Sequence, residues 1–355
     1  MDQVLVDVVL ITAGVVVRQV DRWWHSDLRS GLFLSRAARS TTIQEVFVRQ
    51  RSRRNNVTPA MVMIGHWIEI AGWCLLCDRP GVAGVVLATA ALAVKGRHLQ
   101  EVSHFGVHTA LCRSRRFGDM LTEWGAQGPL GLATVTDRRE SHVRQHHPNA
   151  TVAGVDPNLA ELAAAGLRPG CSLVRFLAVV GHPLTPVGCL RTVQTMCANL
   201  WSGPGARGRL PLVAGLLVAG YLLGGVAALV AIGLARLVLY PQLAWLSLLV
   251  EHRWLDAERR RGRPREVEAG RCVRVYQARP LLGTLARLTW LPYGDVYHFA
   301  HSVYPTVRWN YLPTVERLIG LPRFKPSHLL LSRSSVLVEL YRSSRRRTVA
   351  SPAAA

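Results

Sequence analysis

The sequence predicts an all-α integral membrane protein: four transmembrane helices in two hairpins, with a cytosolic helical cap that holds clustered histidines. Three observations lead there. Mean hydropathy is positive, +0.17, although 18% of the residues are charged, so apolar residues must be gathered into blocks. Those blocks are flanked by arginine, which supplies nearly all the cations behind a formal charge of +21. The remaining signal is histidine, clustered beside the blocks at helix-compatible spacings.

Taken in order, the chain begins "MDQVLVDVVLITAGVVV". The stretch starts acidic, is broken by Asp7 and lacks a basic leader, so it is no signal peptide and reads as a membrane-surface helix. After the basic "RQRSRRNN", Val57 to Cys77 form the first span, since about 20 apolar residues cross the hydrocarbon core. "CDRPG" then turns the chain, because Pro80 and Gly81 break a helix, and Gly81 to Val94 begin the second span. Both outer ends of this hairpin are arginine-rich, which places them in the cytoplasm. Leu210 to Val250 is too long for one crossing and right for two; Arg236 is its one charge. Gly224-Gly225 and Gly233 are both candidate turns, and Gly220 with Gly224 forms a GxxxG suited to close helix packing. The basic "EHRWLDAERRRGRPR" returns the chain to the cytoplasm. Residues 1–56 form an N-terminal cytosolic or membrane-surface segment, 57–313 the membrane domain, and 314–355 a cytosolic C-terminal segment with a basic tail. Both termini are expected on the cytoplasmic side.

The charge admits nucleic acid or an anionic membrane surface as a partner. With membrane spans present, arginine bias and lipid attraction account for it; no separate basic module argues for nucleic acid. The seven cysteines give no disulfide framework, and the Cys74-Cys77 pair lies in an apolar run, where small apolar packing is the simpler use. Asn56-Val-Thr58 matches a glycosylation sequon but falls on the cytoplasmic side. His66 and Glu69, three apart inside the first span, share a face; ionisable groups at that depth turn inward, either to line a substrate tunnel or to pair with each other.

The histidines carry the chemistry. His104 and His108 are four apart and so share a helix face at the end of the second span. His142, His146 and His147 form a second cluster and His298 with His301 a third. His252 follows Glu251 as the last span leaves the membrane. By the topology above all eight lie on one side, and neutral imidazole is a good ligand for iron, zinc and copper. Eight imidazoles exceed what one metal needs and suit two adjacent ions.

These stretches, "RHLQEVSHFGVHTALCRSRRFGDML", "SHVRQHHP", "LLVEHRW" and "VYHFAHSVYPTVRWNYLP", resemble the three histidine boxes and flanks of the membrane fatty acid desaturase and hydroxylase family, from about Val57 to Pro313. The resemblance implies a cytosolic di-iron centre on His104, His108, His142, His146, His147, His252, His298 and His301. It implies O2 as co-substrate and an acyl-lipid or carrier- or CoA-bound acyl substrate. No fused electron carrier is visible, so electrons are expected from a separate ferredoxin, rubredoxin or cytochrome. Desaturation is the expected reaction; a hydroxylase or ketolase acting on a lipid, carotenoid or acyl group is the alternative within the superfamily. The sequence departs from the pattern at Ser302, which stands where the third box expects a third histidine. Serine is a poor iron ligand. Either water, substrate or another residue, such as His98, takes the open position, or the chain is a non-catalytic membrane protein with a degraded metal site.

Overall fold

The computed structural model describes residues 3–25, 42–77, 79, 81–201, 206–274, 280–319 and 336–345. Among these the regular structure is helical, and the one extended pairing is an isolated antiparallel bridge between His252 and Cys272. Asp78 and Pro80 of the first turn, and the basic tail beyond Arg345, lie outside the described residues.

Six helices position the site: α1 (Gln3–Trp24), α2 (Thr58–Leu76), α3 (Val82–Val107), α4 (Ala206–Leu234), α5 (Tyr240–Glu251) and α6 (His298–Val303). Three stretches are long and apolar enough to cross a membrane: Arg53–Leu76, Val82–Val107 and Gly208–Glu251. The last holds 44 residues, more than twice the ~20 that one crossing takes. It folds back at Gly224-Gly225, where both residues leave helical backbone angles and Gly225 adopts φ +59°. Gly233 continues the helix. The two arms run side by side: the Arg209 guanidinium donates to the Leu132 carbonyl at 2.6 Å, Arg236 donates to the neighbouring Leu130 carbonyl, and Gly220 packs on Ile232.

The tips of the two hairpins meet. The Cys77 thiol donates to the Ala227 carbonyl at 3.3 Å, and Gly224 lies so close to the Cys74 carbonyl that no side chain would fit. Cys74 and Cys77 are buried packing residues at this junction.

The N-terminal helix is packed against the first hairpin: α1 runs antiparallel along α2. A Cβ on Gly14 would stand 2.5 Å from the Gly65 carbonyl oxygen, and one on Gly72 would stand 2.7 Å from Ile11. Three of the charges that interrupt its apolar run find partners: Asp7 with Arg79 at 3.0 Å, Arg18 with Glu69 at 2.5 Å and Asp21 with Arg308 at 3.4 Å. Asp21 also accepts from Trp309 Nε1 at 3.0 Å and Asn310 Nδ2 at 2.7 Å. The first turn of α1 therefore lies at the hairpin-tip end, away from the histidines. Its last turn braces the segment after α6.

Candidate metal centre

α3 continues beyond its apolar part and carries His104 and His108 out on its last turn, with His108 as the C-cap. The second box lies on a π-helical turn, Arg139–His146. Such widened turns recur at functional sites; here His142 and His147 point into one cluster and His146 into another. The end of α5 delivers His252, and α6 delivers His298 and His301.

All eight predicted histidines converge, in two groups. His104, His108, His142, His147 and His301 form the first; His146, His252 and His298 meet in the second. Within the first, Nε2 atoms of His104 and His301 are 3.0 Å apart, and those of His108 and His147 are 3.2 Å apart. Within the second, His252 Nε2 lies 3.3 Å from His146 Nε2 and 3.1 Å from His298 Nε2. Metal–nitrogen bonds of about 2.1 Å in a tetrahedral or octahedral set separate adjacent donors by about 3.0–3.4 Å, so the first group fits a metal, and in the second each contact with His252 has that spacing. His142 adds a second test. It is buried, yet neither ring nitrogen has a hydrogen-bond partner among the described residues. Leaving such a group unpaired costs about 1–3 kcal/mol, and a metal ligand has its lone pair satisfied.

The electrostatics agree. Burial, then the neighbouring imidazoles, hold the basicity of His142, His298 and His301 well below the ordinary range. Burial, His146 and Arg271 push His147 down to about 3. These rings are neutral at physiological pH, which is the ligating form.

Outer groups orient the rings. Asp156 Oδ1 accepts from His146 Nδ1 at 2.8 Å, and the Arg271 carbonyl lies 3.3 Å from His252 Nδ1. Each contact leaves Nε2 with its lone pair facing the cluster, the arrangement that fixes tautomer and ring angle in metal sites. Phe105 backs the first group through His104 and His301, and Trp254 backs the second through His146 and His252. The site thus sits where two apolar cores meet, one containing Phe105 and Trp309, the other Trp245 and Trp254.

Sequence reasoning did not single out Asp156, Cys272 and Asp295 at the second group. Glu251 was legible beside His252, but as a neighbour rather than a candidate ligand; it and Asp295 lie within metal-binding range of these histidines. Asp295 is gripped by Arg97 at 2.5 Å, and Arg97 also holds Glu101 at 3.0 Å. Burial and then Glu101 push the Asp295 carboxyl up to about 7.

His98 does not reach either group; its Nε2 lies 3.1 Å from the Leu288 carbonyl. His66 lies 2.5 Å from the Tyr293 hydroxyl. Glu69 is held by Arg18 and Lys95, with His66 Nδ1 3.7 Å away. A cavity of about 620 Å³ opens against His104, His142 and Glu251, and neither His66 nor Glu69 lines it. Its wall mixes apolar residues such as Leu132, Met196 and Leu248 with Arg138, Arg191 and Arg236.

A search of curated proteins finds no match. A family model described as fatty acid desaturase matches residues 80–330, a span that contains every histidine of both groups and most of the chain. The chain belongs to the fatty acid desaturase family.

Proposed function

We propose that the protein is an O2-dependent di-iron membrane oxidoreductase that introduces a C=C bond into an acyl chain. The observation that carries this reading is the meeting of eight imidazoles in groups of five and three, beside a cavity lined by His104 and His142. His104, His108, His142, His147 and His301 would hold one iron, and His146, His252 and His298 the other. Bound iron would activate O2 to attack an unactivated C–H bond, chemistry that no side chain here supplies alone.

The chain's own residues orient and enclose. Asp156 and the Arg271 carbonyl hold His146 and His252 in the ligating tautomer. The cavity's mixed wall suits an amphiphile, with apolar residues along a chain and arginines near a polar group. Position decides which bond reacts, so a rigid wall beside the histidines is the source of selectivity. The two hairpins are read as four membrane crossings, with α1 as a further one, and the arginine flanks put the histidines on the cytoplasmic face. A basic surface there, including exposed Arg144, suits an acidic, separate electron donor.

The test is expression in a lipid-producing host followed by mass spectrometry of acyl products, alongside iron analysis of the purified protein. Two irons and a new double bond, both lost in His142→Ala, are expected. A hydroxylated or keto product would move the reaction to the hydroxylase or ketolase reading. A protein without iron or product would favour the scaffold reading.

A further inference from the structure

The cavity beside the histidines carries one charge that the chain leaves unanswered. Its wall follows one face of α3, through Arg97, Glu101, His104 and Val107, positions three or four apart and so on one side of the helix. Four arginines line it: Arg97, Arg138, Arg191 and Arg236. Arg97 holds Glu101 at 3.0 Å and Asp295 at 2.5 Å, and Arg138 and Arg191 stand near Glu161. Arg236 is different. It lies inside the apolar Gly208–Glu251 stretch, on a π-helical turn, Ala235–Leu239, between α4 and α5. Among the described residues it has no acidic partner. It donates through Nη2 to the Leu130 carbonyl, which orients the guanidinium, and its Nε is buried without a partner. The guanidinium carbon lies 4.9 Å from the centre of the Tyr240 ring. Tyr240 lines the same cavity and is only 3% exposed, and its hydroxyl has no hydrogen-bond partner among the described residues.

Resting on the reading above, in which this cavity takes the substrate, we propose that Arg236 and Tyr240 bind a free oxyanion end of that substrate, a carboxylate or a phosphate monoester. Each residue offers an unused donor, an N–H and an O–H, and a deprotonated oxygen only accepts. An unpaired cation within an apolar span is costly. An anion held between the guanidinium and the phenol removes that cost through charge-assisted hydrogen bonds. The widened turn that carries Arg236 agrees with a binding role. An ester or thioester has no charge at that end and makes no such pair, so the substrate class is the free acid or the phosphate. The site also anchors the substrate away from the histidines. A Cβ on Gly96 would stand 3.3 Å from the Tyr240 ring, and His104 lies eight residues further along α3, about 12 Å at 1.5 Å per residue. The reacting bond is then selected by its distance from the oxyanion, not from the methyl end.

The test needs neither metal nor turnover. The full chain in detergent is equilibrated with radiolabelled hexadecanoate, hexadecyl phosphate or hexadecanol, which share a chain and differ at one end. Wild type should bind at least one of the two anions about 10–100-fold more tightly than the alcohol, the usual range for a charge-assisted pair. The anion it prefers tells a carboxylate from a phosphate. Arg236→Leu should lose the preference and still bind the alcohol. Tyr240→Phe keeps the ring and should weaken the preferred anion alone, by about 2–10-fold. Equal binding of all three probes by wild type, or of none, would overturn the proposal. So would a preference that survives Arg236→Leu and disappears in Arg138→Leu or Arg191→Leu, since the anion would then sit with the arginines near Glu161. None of these outcomes touches the oxidoreductase reading, which stands or falls on its own iron and product analysis.

Discussion

Asp156 accepts hydrogen bonds from His146 Nδ1 and from the backbone N–H groups of Thr151 and Asn158. One carboxylate thereby fixes a ligand's tautomer and caps the helix that follows. Asp156→Asn should keep the cap, yet weaken metal retention at the second group about 10–100-fold, the usual range for losing an outer partner of a ligand. Competition with a chromogenic chelator measures it, and unchanged affinity would mean that packing alone orients His146. His142→Ala should act differently: it removes a ligand and leaves a small void, so metal at the five-histidine group should fall while the protein stays folded. The histidines were legible because they recur in clusters at helix-compatible spacings. Asp156 was not, because its contact depends on the turn from Pro148 to Val155 returning the chain to His146. Cys272 was equally hidden, since only the pairing of two distant loops brings it to His252.

At the scale of elements, hydropathy located the long apolar stretches and correctly offered Gly224-Gly225 as one of two turns. It did not reveal that α1 packs along α2, and the reason is physical. A hydropathy reading charges Asp7, Arg18 and Asp21 their full desolvation penalty, whereas in the fold each faces an opposite charge, Arg79, Glu69 or Arg308. Partners tens to hundreds of residues away cannot be seen in a local window. The helix is also held by shape, through the close approach at Gly14, Gly65 and Gly72. Gly14→Val should push α1 off α2 and destabilise the protein by about 1–3 kcal/mol, the cost of overpacking. Because Asp21 grips Trp309 and Asn310, metal retention should fall as well. Thermal unfolding in detergent and metal content, read together, check this; a variant with lowered stability but full metal would show that α1 does not brace the site.

For the whole molecule, α1 antiparallel to α2 predicts that a cysteine placed at Leu5 is labelled from the face opposite one placed at Arg144, in a background without exposed Cys197. Labelling of both from the same face would remove α1 as a crossing. On the two-metal reading, the ions would also act on the molecule as cross-links. Their ligands come from the end of α3, the π-turn, the end of α5 and α6, so chelation should loosen the cap and leave the hairpins packed by their own apolar contacts. Hydrogen exchange should then quicken around residues 139–149 and 295–311 and stay slow along α2 and α3. Order of synthesis adds a last consequence. The five-histidine group waits for His301 and the second group for His298, and both arrive on the same six-residue helix. On the proposed reading, neither metal site could exist on a nascent chain until the apolar hairpins had already been made. The hairpins would then assemble on their own, and metal capture would be the closing step that sets the histidine-bearing segments onto them.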